Sequence, residues 1–316
     1  MSRVLFLLGP TGIGKSALAV ELASATGAEI VNADAFQMYR GLDIGTAKPA
    51  PEVRQVVPHH LFDVLDPTEI CSAGKYARLA RETVEKLGGQ GKPVIITGGT
   101  GFYIRALREG LNELPEVPPD LRAELRNRLK REGLSSLREE LRTCDPVTWA
   151  RVHPQDTQRI LRALEIYRAS GTPWSEWLRV GKPGFTPLRA EQRGVRLTCS
   201  RALLYDQLSA RLDNMIAGGW VEEVKRLLSQ GVTPEAPAFR AIGYREWVEY
   251  LEGRWSFEQA RARVLHASRH YAKRQETWFR RETWLEPVAK DRAHEELRSW
   301  IRWLTCKQPQ EKGSAT

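Results

Sequence analysis

The chain has 316 residues, 41% apolar and 28% charged, which supplies apolar side chains for a large buried core and excludes a wholly disordered chain. Its formal net charge of +9, carried far more by Arg than by Lys, suits a polyanionic partner without naming one. The cysteines Cys71, Cys144, Cys199 and Cys306 form no CxxC pair or zinc spacing, and no apolar run nears the roughly eighteen residues of a membrane span, so a reduced, cytoplasmic protein with no signal peptide and no membrane contact is expected.

Val4 to Leu8 is a continuous apolar run, read as a parallel strand covered on both faces. Gly9 to Ser16 is a glycine loop, and Ala17 to Thr26 is the helix behind it, stopped by Gly27. A second strand, Glu29 to Ala33, leads into Asp34. Lys75 to Leu87 is expected to be helical up to Gly88-Gly89, and Pro93 to Thr97 is a third strand running into Gly98-Gly99-Thr100-Gly101. Strands alternating with helices predict βαβ units, hence an α/β fold with a parallel sheet.

The texture changes after Leu114. Pro115, Pro118 and Pro119 mark a boundary, with Asp120 placed to cap the next helix. Only helices are expected from there, near 120–131, 134–143 and 156–169, before a Gly/Pro-rich loop from Gly181 to Gly194. Residues 117–194 hold fifteen Lys and Arg against ten Asp and Glu. Val195 to Cys199 is read as a strand returning to the first sheet, with helices to about residue 300. The expected architecture is therefore a P-loop NTPase-like α/β core (1–116 and 195–305), an inserted small helical domain (117–194) and a flexible tail (306–316).

Gly9, Pro10, Thr11, Gly12, Ile13, Gly14, Lys15 and Ser16 spell GxxxxGK[ST] between a strand and a helix, the context that gives this motif its meaning. Its successive N–H groups make an anion nest at a helix N-terminus, Lys15 reaches a phosphate and the Ser16 hydroxyl is a ligand for Mg²⁺. The motif reports a phosphate chain only, and ATP is one candidate. A nucleotide hydrolase also needs a strand ending in a metal-supporting Asp, whereas Pro93 to Thr97 runs into Gly-Gly-Thr. The carboxylate at a strand end is Asp34 instead, read either as a loop-capping or metal-supporting residue or as the acceptor of a proton from a substrate amine. His59 and His60 lack metal-site spacing and are expected at the surface. Residues 261–281 carry seven Lys and Arg against Glu276 alone, with Tyr271, Trp278 and Phe279 interleaved. That texture suits single-stranded RNA, or else an amphipathic helix with its aromatic residues inside.

GPTGIGKS, NADAFQMYRGLDIGTAKP, HHLFDVLDP, GGTGFYIRAL, HPQDTQRILRALEIY, AIGYREW and YAKRQETWFR, in this order, resemble the bacterial tRNA dimethylallyltransferase family over roughly residues 3 to 285. The resemblance implies transfer of a dimethylallyl group from dimethylallyl pyrophosphate to N6 of the adenosine 3′ of the anticodon, with Mg²⁺ as cofactor and the tRNA anticodon stem-loop as partner. It implies that Asp34 is the general base, that Thr100 lies near the bridging oxygen and that Arg211 closes over the phosphates held by the P-loop. Asp34, Ala35, Phe36, Gln37 and Thr100, with Gln158, Arg159, Ile160, Leu161 and Arg162, match stretches that contact tRNA, as Arg122, Lys273, Arg274 and Gln275 do less closely. Two departures stand out: Ala35 where the family has Ser, and Gln207 where an Arg is common. A monomer is expected. Rival readings are a P-loop small-molecule kinase using ATP, an adenylate isopentenyltransferase acting on free nucleotides, and a non-catalytic RNA-binding module, which would not explain Lys15, Ser16, Asp34 and Thr100 together.

Overall fold

The computed structural model describes residues 2–181 and 183–306; the tail expected at 307–316 lies outside the described residues. In chain order the elements are β1 (Arg3–Leu8), α1 (Lys15–Thr26), β2 (Glu29–Ala33), α2 (Pro51–Val56), β3 (His59–His60), α3 (Ala73–Gly89), β4 (Val94–Gly98) and α4 (Gly101–Glu109). There follow β5 (Leu111–Asn112), α5 (Pro119–Cys144), α6 (Pro146–Arg151), α7 (Thr157–Ser170), α8 (Trp174–Val180) and β6 (Pro183–Phe185). The chain closes with β7 (Glu191–Thr198), α9 (Arg201–Ala217), α10 (Trp220–Ser229), α11 (Tyr244–Leu251), α12 (Phe257–Arg280), β8 (Leu285–Ala289) and α13 (Ala293–Thr305).

Two compact units form, Met1–Arg108 with Leu188–Thr316, and Glu109–Pro187. The first is built on a six-stranded sheet in the order β3-β2-β4-β1-β7-β8, every pair parallel. The apolar runs of β1, β2 and β4 are buried residue by residue apart from Arg3, as strands covered on both faces must be. On one face, Leu18, Leu22 and Ala23 of α1 pack with Trp300 and Leu304 of α13 and with Leu5, Leu7 and Ile95 of the sheet. Because the strands are parallel, their C-terminal ends share one edge. The loops after β1, β2 and β4 all leave from it, where ligands bind in open α/β sheets.

The second unit differs from its sequence reading in three respects. Its bounds are 109–187, not 117–194, because β7 already begins at Glu191. It is not purely helical, since β5 pairs antiparallel with β6, Leu111 opposite Phe185. Asp120 does not cap α5; Pro118 takes that place and Pro119 the first turn, which needs no N–H from proline. Gly133, at φ 80° and ψ 170°, breaks α5 into two helical stretches. Their Leu125, Leu137 and Leu141 enclose Ile160, Ala163 and Leu164 of α7. Asp145 caps α6 while almost fully buried, accepting from Thr148 N (3.0 Å), Thr148 Oγ1 (2.6 Å) and Ser175 N (2.9 Å).

No helix among the described residues is long and apolar enough to cross a membrane.

Candidate active site

A cavity of about 330 Å³ opens in the first unit at the C-terminal edge of the sheet. Thr11, Gly12, Gly14, Lys15 and Ser16 of the P-loop form one wall, and Asp34, Phe36 and Gln37 stand after β2. Gly98 ends β4 and Gly99 follows it, while Arg211 of α9 and Tyr271, Arg274 and Gln275 of α12 add to the polar lining. Leu212, Met215 and Trp220 add an apolar surface. Gly9, Pro10 and Ile13 do not line the cavity: Ile13 is fully buried in the core beneath the loop. Gly14 caps α1 at φ 102°, a left-handed conformation that suits glycine, and so aims the first N–H groups of the helix at the cavity.

Asp34 is held by its neighbours. The buried Asn32 side chain accepts from Asp34 N (2.8 Å) and donates to Asp34 O (2.9 Å) and Leu61 O (3.0 Å), while Asp34 Oδ1 accepts from Phe36 N (2.9 Å). Burial raises the Asp34 carboxyl above its ordinary value, against the Phe36 N–H and the nearby Lys15 charge, which act the other way. Burial pushes the Lys15 ammonium down to about 7, the Arg211 cation adds to the fall and Asp34 opposes it. Arg211 is lowered by burial too, with Asp34 opposing, yet an arginine keeps its charge at neutral pH. Lys15 Nζ meanwhile rests on Pro10 O at 2.8 Å. Lys15 and Arg211 thus face Asp34 across one space, whose lining also holds Arg240 and Arg274.

The loops around this space are tied to one another. The Thr100 hydroxyl accepts from Ala35 N (3.1 Å), although Thr100 itself does not line the cavity. Gln275 Oε1 accepts from Thr11 N (2.8 Å) and its Nε2 donates to Gly99 O (2.9 Å), so one buried amide joins the P-loop to the loop after β4. A Cβ on Gly99 would stand 2.0 Å from that Nε2, so any larger residue there would displace the amide. Glu223 of α10, 1% exposed, accepts from Asp43 N (2.8 Å), Ile44 N (2.7 Å), Gly45 N (3.2 Å) and Tyr244 Oη (2.6 Å). Gln37 Nε2 in turn donates to Thr46 O (3.0 Å) and Ala47 O (3.2 Å). The buried Lys48 ammonium closes the same segment onto Asp43 (2.7 Å) and Asp63 (2.5 Å).

The comparisons with known proteins bear on a site of this form. The family described as IPP transferase matches residues 37–282, most of the chain. This chain belongs to that family. The tRNA dimethylallyltransferase of Geobacter metallireducens is 45% identical over 288 residues, covering 90% of this chain and 93% of the relative. The enzyme of the same name from Methylococcus capsulatus is 44% identical over 306 residues, covering 94% and 97%. Among solved structures, the tRNA isopentenylpyrophosphate transferase of Bacillus halodurans superposes with a TM-score of 0.69 at 30% identity, over 96% of this chain and 98% of that one.

Against this member of the IPP transferase family, the residues expected to meet RNA divide by exposure. Gln158, Arg159, Lys273 and Arg274 are exposed, and Arg122, Leu161 and Arg162 are half-buried. The Ile160 side chain is 1% exposed within the core of the second unit and does not reach the surface. Gln275 is likewise buried, its amide engaged by Thr11 and Gly99. Phe279 faces the core, Tyr271 lines the cavity, and half-buried Trp278 lies under the Arg105 guanidinium at 4.7 Å. The histidines are less exposed than expected: pairing of β3 with β2 leaves both half-buried, His60 Nε2 2.6 Å from buried Glu29 and His59 lining the cavity. No motif in the sequence assigns a role to Asn32, to Glu223 or to Arg240, which also lines the cavity. AIGYREW contains Arg240's successors and marks that segment, but Glu223 reads there as one more acid of an amphipathic helix.

Proposed function

We infer that this member of the family is a tRNA dimethylallyltransferase that prenylates N6 of the adenosine 3′ of the anticodon and releases pyrophosphate. The observation that carries the reading is the convergence, in one cavity, of an anion-binding P-loop, the cations Lys15 and Arg211, and the Asp34 carboxylate.

N6 of adenine is a weak nucleophile, its lone pair delocalised into the ring. Asp34, fixed by Asn32 and Phe36, would hold an amine N–H toward it and take the proton as the C–N bond forms. Burial raises its pKa, which makes its ionised form a stronger base than an ordinary aspartate. The leaving pyrophosphate gains negative charge, which the P-loop N–H groups, Lys15 and Arg211 are arranged to stabilise. Lys15 would exchange the Pro10 carbonyl for a phosphate oxygen. Thr100, in the loop after β4, would hold the Asp34 turn in place through Ala35.

Mg²⁺ fits this donor set. Among the described residues there is no cluster of three or more His, Cys, Asp or Glu that would cage a metal, but Mg²⁺ commonly takes one or two protein oxygens and completes its shell with phosphates and water. Ser16, exposed in the first turn of α1 at the cavity wall, supplies such an oxygen. When bound, the ion would neutralise diphosphate charge.

We assign tRNA contact to exposed Gln158 and Arg159 of α7 and to Lys273 and Arg274 of α12, since RNA loops are bound by phosphate contact and by stacking of extruded bases. The test incubates purified protein, unmodified tRNA and Mg²⁺ with labelled dimethylallyl pyrophosphate, alongside ATP and free adenine nucleotides. Label in the anticodon-loop fragment without ATP is expected. Label only in free nucleotide, or ATP consumption with phosphoryl transfer, would overturn the reading.

A further inference from the structure

The P-loop motif contains one lysine, but a second one reaches the same loop from the other end of the chain. Lys290 directly follows β8, whose last residue Ala289 pairs with Thr198 of β7, so its backbone emerges at the same sheet edge as the P-loop. Cε and Nζ of Lys290 lie 3.7 and 3.9 Å from where a Cβ on Gly14 would stand. Gln207 of α9 steers it there. With its amide nitrogen donating to Gly12 O at 3.0 Å, the Gln207 oxygen accepts from Lys290 Nζ at 2.5 Å. Among the described residues the Lys290 ammonium is in no ion pair, and it stands beside an anion nest.

We propose that Lys290 is a diphosphate-binding residue, a second P-loop cation supplied by the β8 end and oriented by Gln207. An ammonium with a neutral tether keeps its full charge for a ligand, whereas one paired with a carboxylate would have to break that pair first. Its neighbour Gly14 presents no side chain toward the Lys290 ammonium, which stands beside the α1 N-terminus just outside the residues that line the cavity. The reaction it serves is the one proposed above, and the assignment rests on that reading.

The test compares parent, K290M, K290R and Q207L by calorimetric titration with inorganic pyrophosphate and by the KM for dimethylallyl pyrophosphate at saturating tRNA. K290M is expected to weaken both about tenfold, equivalent to ~1.4 kcal/mol, while leaving tRNA affinity unchanged. K290R, which keeps the charge, is expected to stay within about threefold of the parent, as is Q207L, which removes only the tether. Equal pyrophosphate affinity in K290M and parent overturns the assignment. So does a Q207L as damaging as K290M with no rescue by K290R, which would make the pair a brace for Gly12. In both cases an active parent leaves the functional reading standing. A parent that transfers nothing and binds no pyrophosphate overturns that reading, and the role of Lys290 with it.

Discussion

The hydroxyl of Thr100 accepts a hydrogen bond from the backbone N–H of Ala35, 3.1 Å away, and so fastens the turn carrying Asp34 to the loop after β4. A second bond, Thr100 N to Ala33 O at 3.1 Å, runs between the same two segments. The hydroxyl is the only part of this clasp that mutation can remove without touching the backbone. T100V, similar in shape, is expected to lower kcat about tenfold and to cost about 1 kcal/mol of stability, the usual worth of one such bond. T100S should retain most activity. If T100V turns over like the parent, the clasp does not position Asp34.

Asp34 sets the acid side of the pH profile. A base works only when ionised, and burial raises this carboxyl above its ordinary 3.8. Transfer should therefore fall as the pH drops through a value above that of an ordinary aspartate, measured in single-turnover reactions with preformed tRNA complex. D34N is expected to slow the step at least about tenfold, ~1.4 kcal/mol of barrier, to bind tRNA as before and to lose the acid limb. A D34N protein that keeps both rate and limb would remove Asp34 from the chemistry.

Lys15 governs the alkaline side of diphosphate binding. Its ammonium is lowered to about 7, so the free protein loses this charge as pH rises through neutrality. A bound diphosphate favours the charged form, so binding takes up a proton above that pH. The ratio of pyrophosphate affinities, parent over K15M, should shrink by up to about tenfold per pH unit above 7 for as long as the bound lysine stays protonated. Using the ratio cancels the titration of pyrophosphate itself. A ratio constant from pH 6 to 9 would mean that Lys15 is fully charged in the free protein.

Much of this site was visible in the chain because its signals are local. Gly9 to Ser16 gives its spacing within eight residues, and Asp34 directly follows an apolar strand. Other parts act over distances that carry no periodicity. Gln275 meets Thr11 across 264 positions, and its glutamine resembles any other on a charged helix until α12 is placed against the sheet edge. Glu223 was hidden for the opposite reason: WVEEVKR reads as a solvated helix face, yet this acid is buried by the three loop N–H groups and the tyrosine it binds. β5 and β6, of two and three residues, are too short for strand alternation to show. Ile160 lay within a stretch matched as a whole to RNA contact, although the helical period of α7 turns it inward between exposed Arg159 and half-buried Leu161.

Arg159 and Lys273 lie one in each unit, both exposed. Arg159 has a loose ion pair with Asp156 at 3.6 Å, a contact worth little at a surface and easily exchanged for a phosphate. R159A and K273A should each weaken tRNA binding at low salt and reduce the slope of log K against log[salt] by about 1, with KM for dimethylallyl pyrophosphate unchanged. Filter binding from 50 to 300 mM salt reads this directly. Slopes identical to the parent's would place RNA elsewhere on the surface.

Gln275 offers the sharpest separation of binding from chemistry. Its amide makes two bonds to backbone groups of different loops while only 4% exposed, so a substitution strands both partners. In Q275M the volume is nearly kept, but Thr11 N–H and Gly99 C=O lose their partner; leaving such groups unsatisfied costs about 1–3 kcal/mol each in burial. The cavity would admit water to both, so the expected loss of stability is about 2 kcal/mol by denaturant unfolding. Thr11 begins the nest, and once its N–H is no longer fixed the loop should bind diphosphate more weakly, raising KM for dimethylallyl pyrophosphate several-fold. Arg274 beside it remains exposed and unchanged, so tRNA affinity and its salt slope should match the parent. Weakened tRNA binding with an intact KM would reverse this assignment and make Gln275 a reader of RNA rather than the link between two loops.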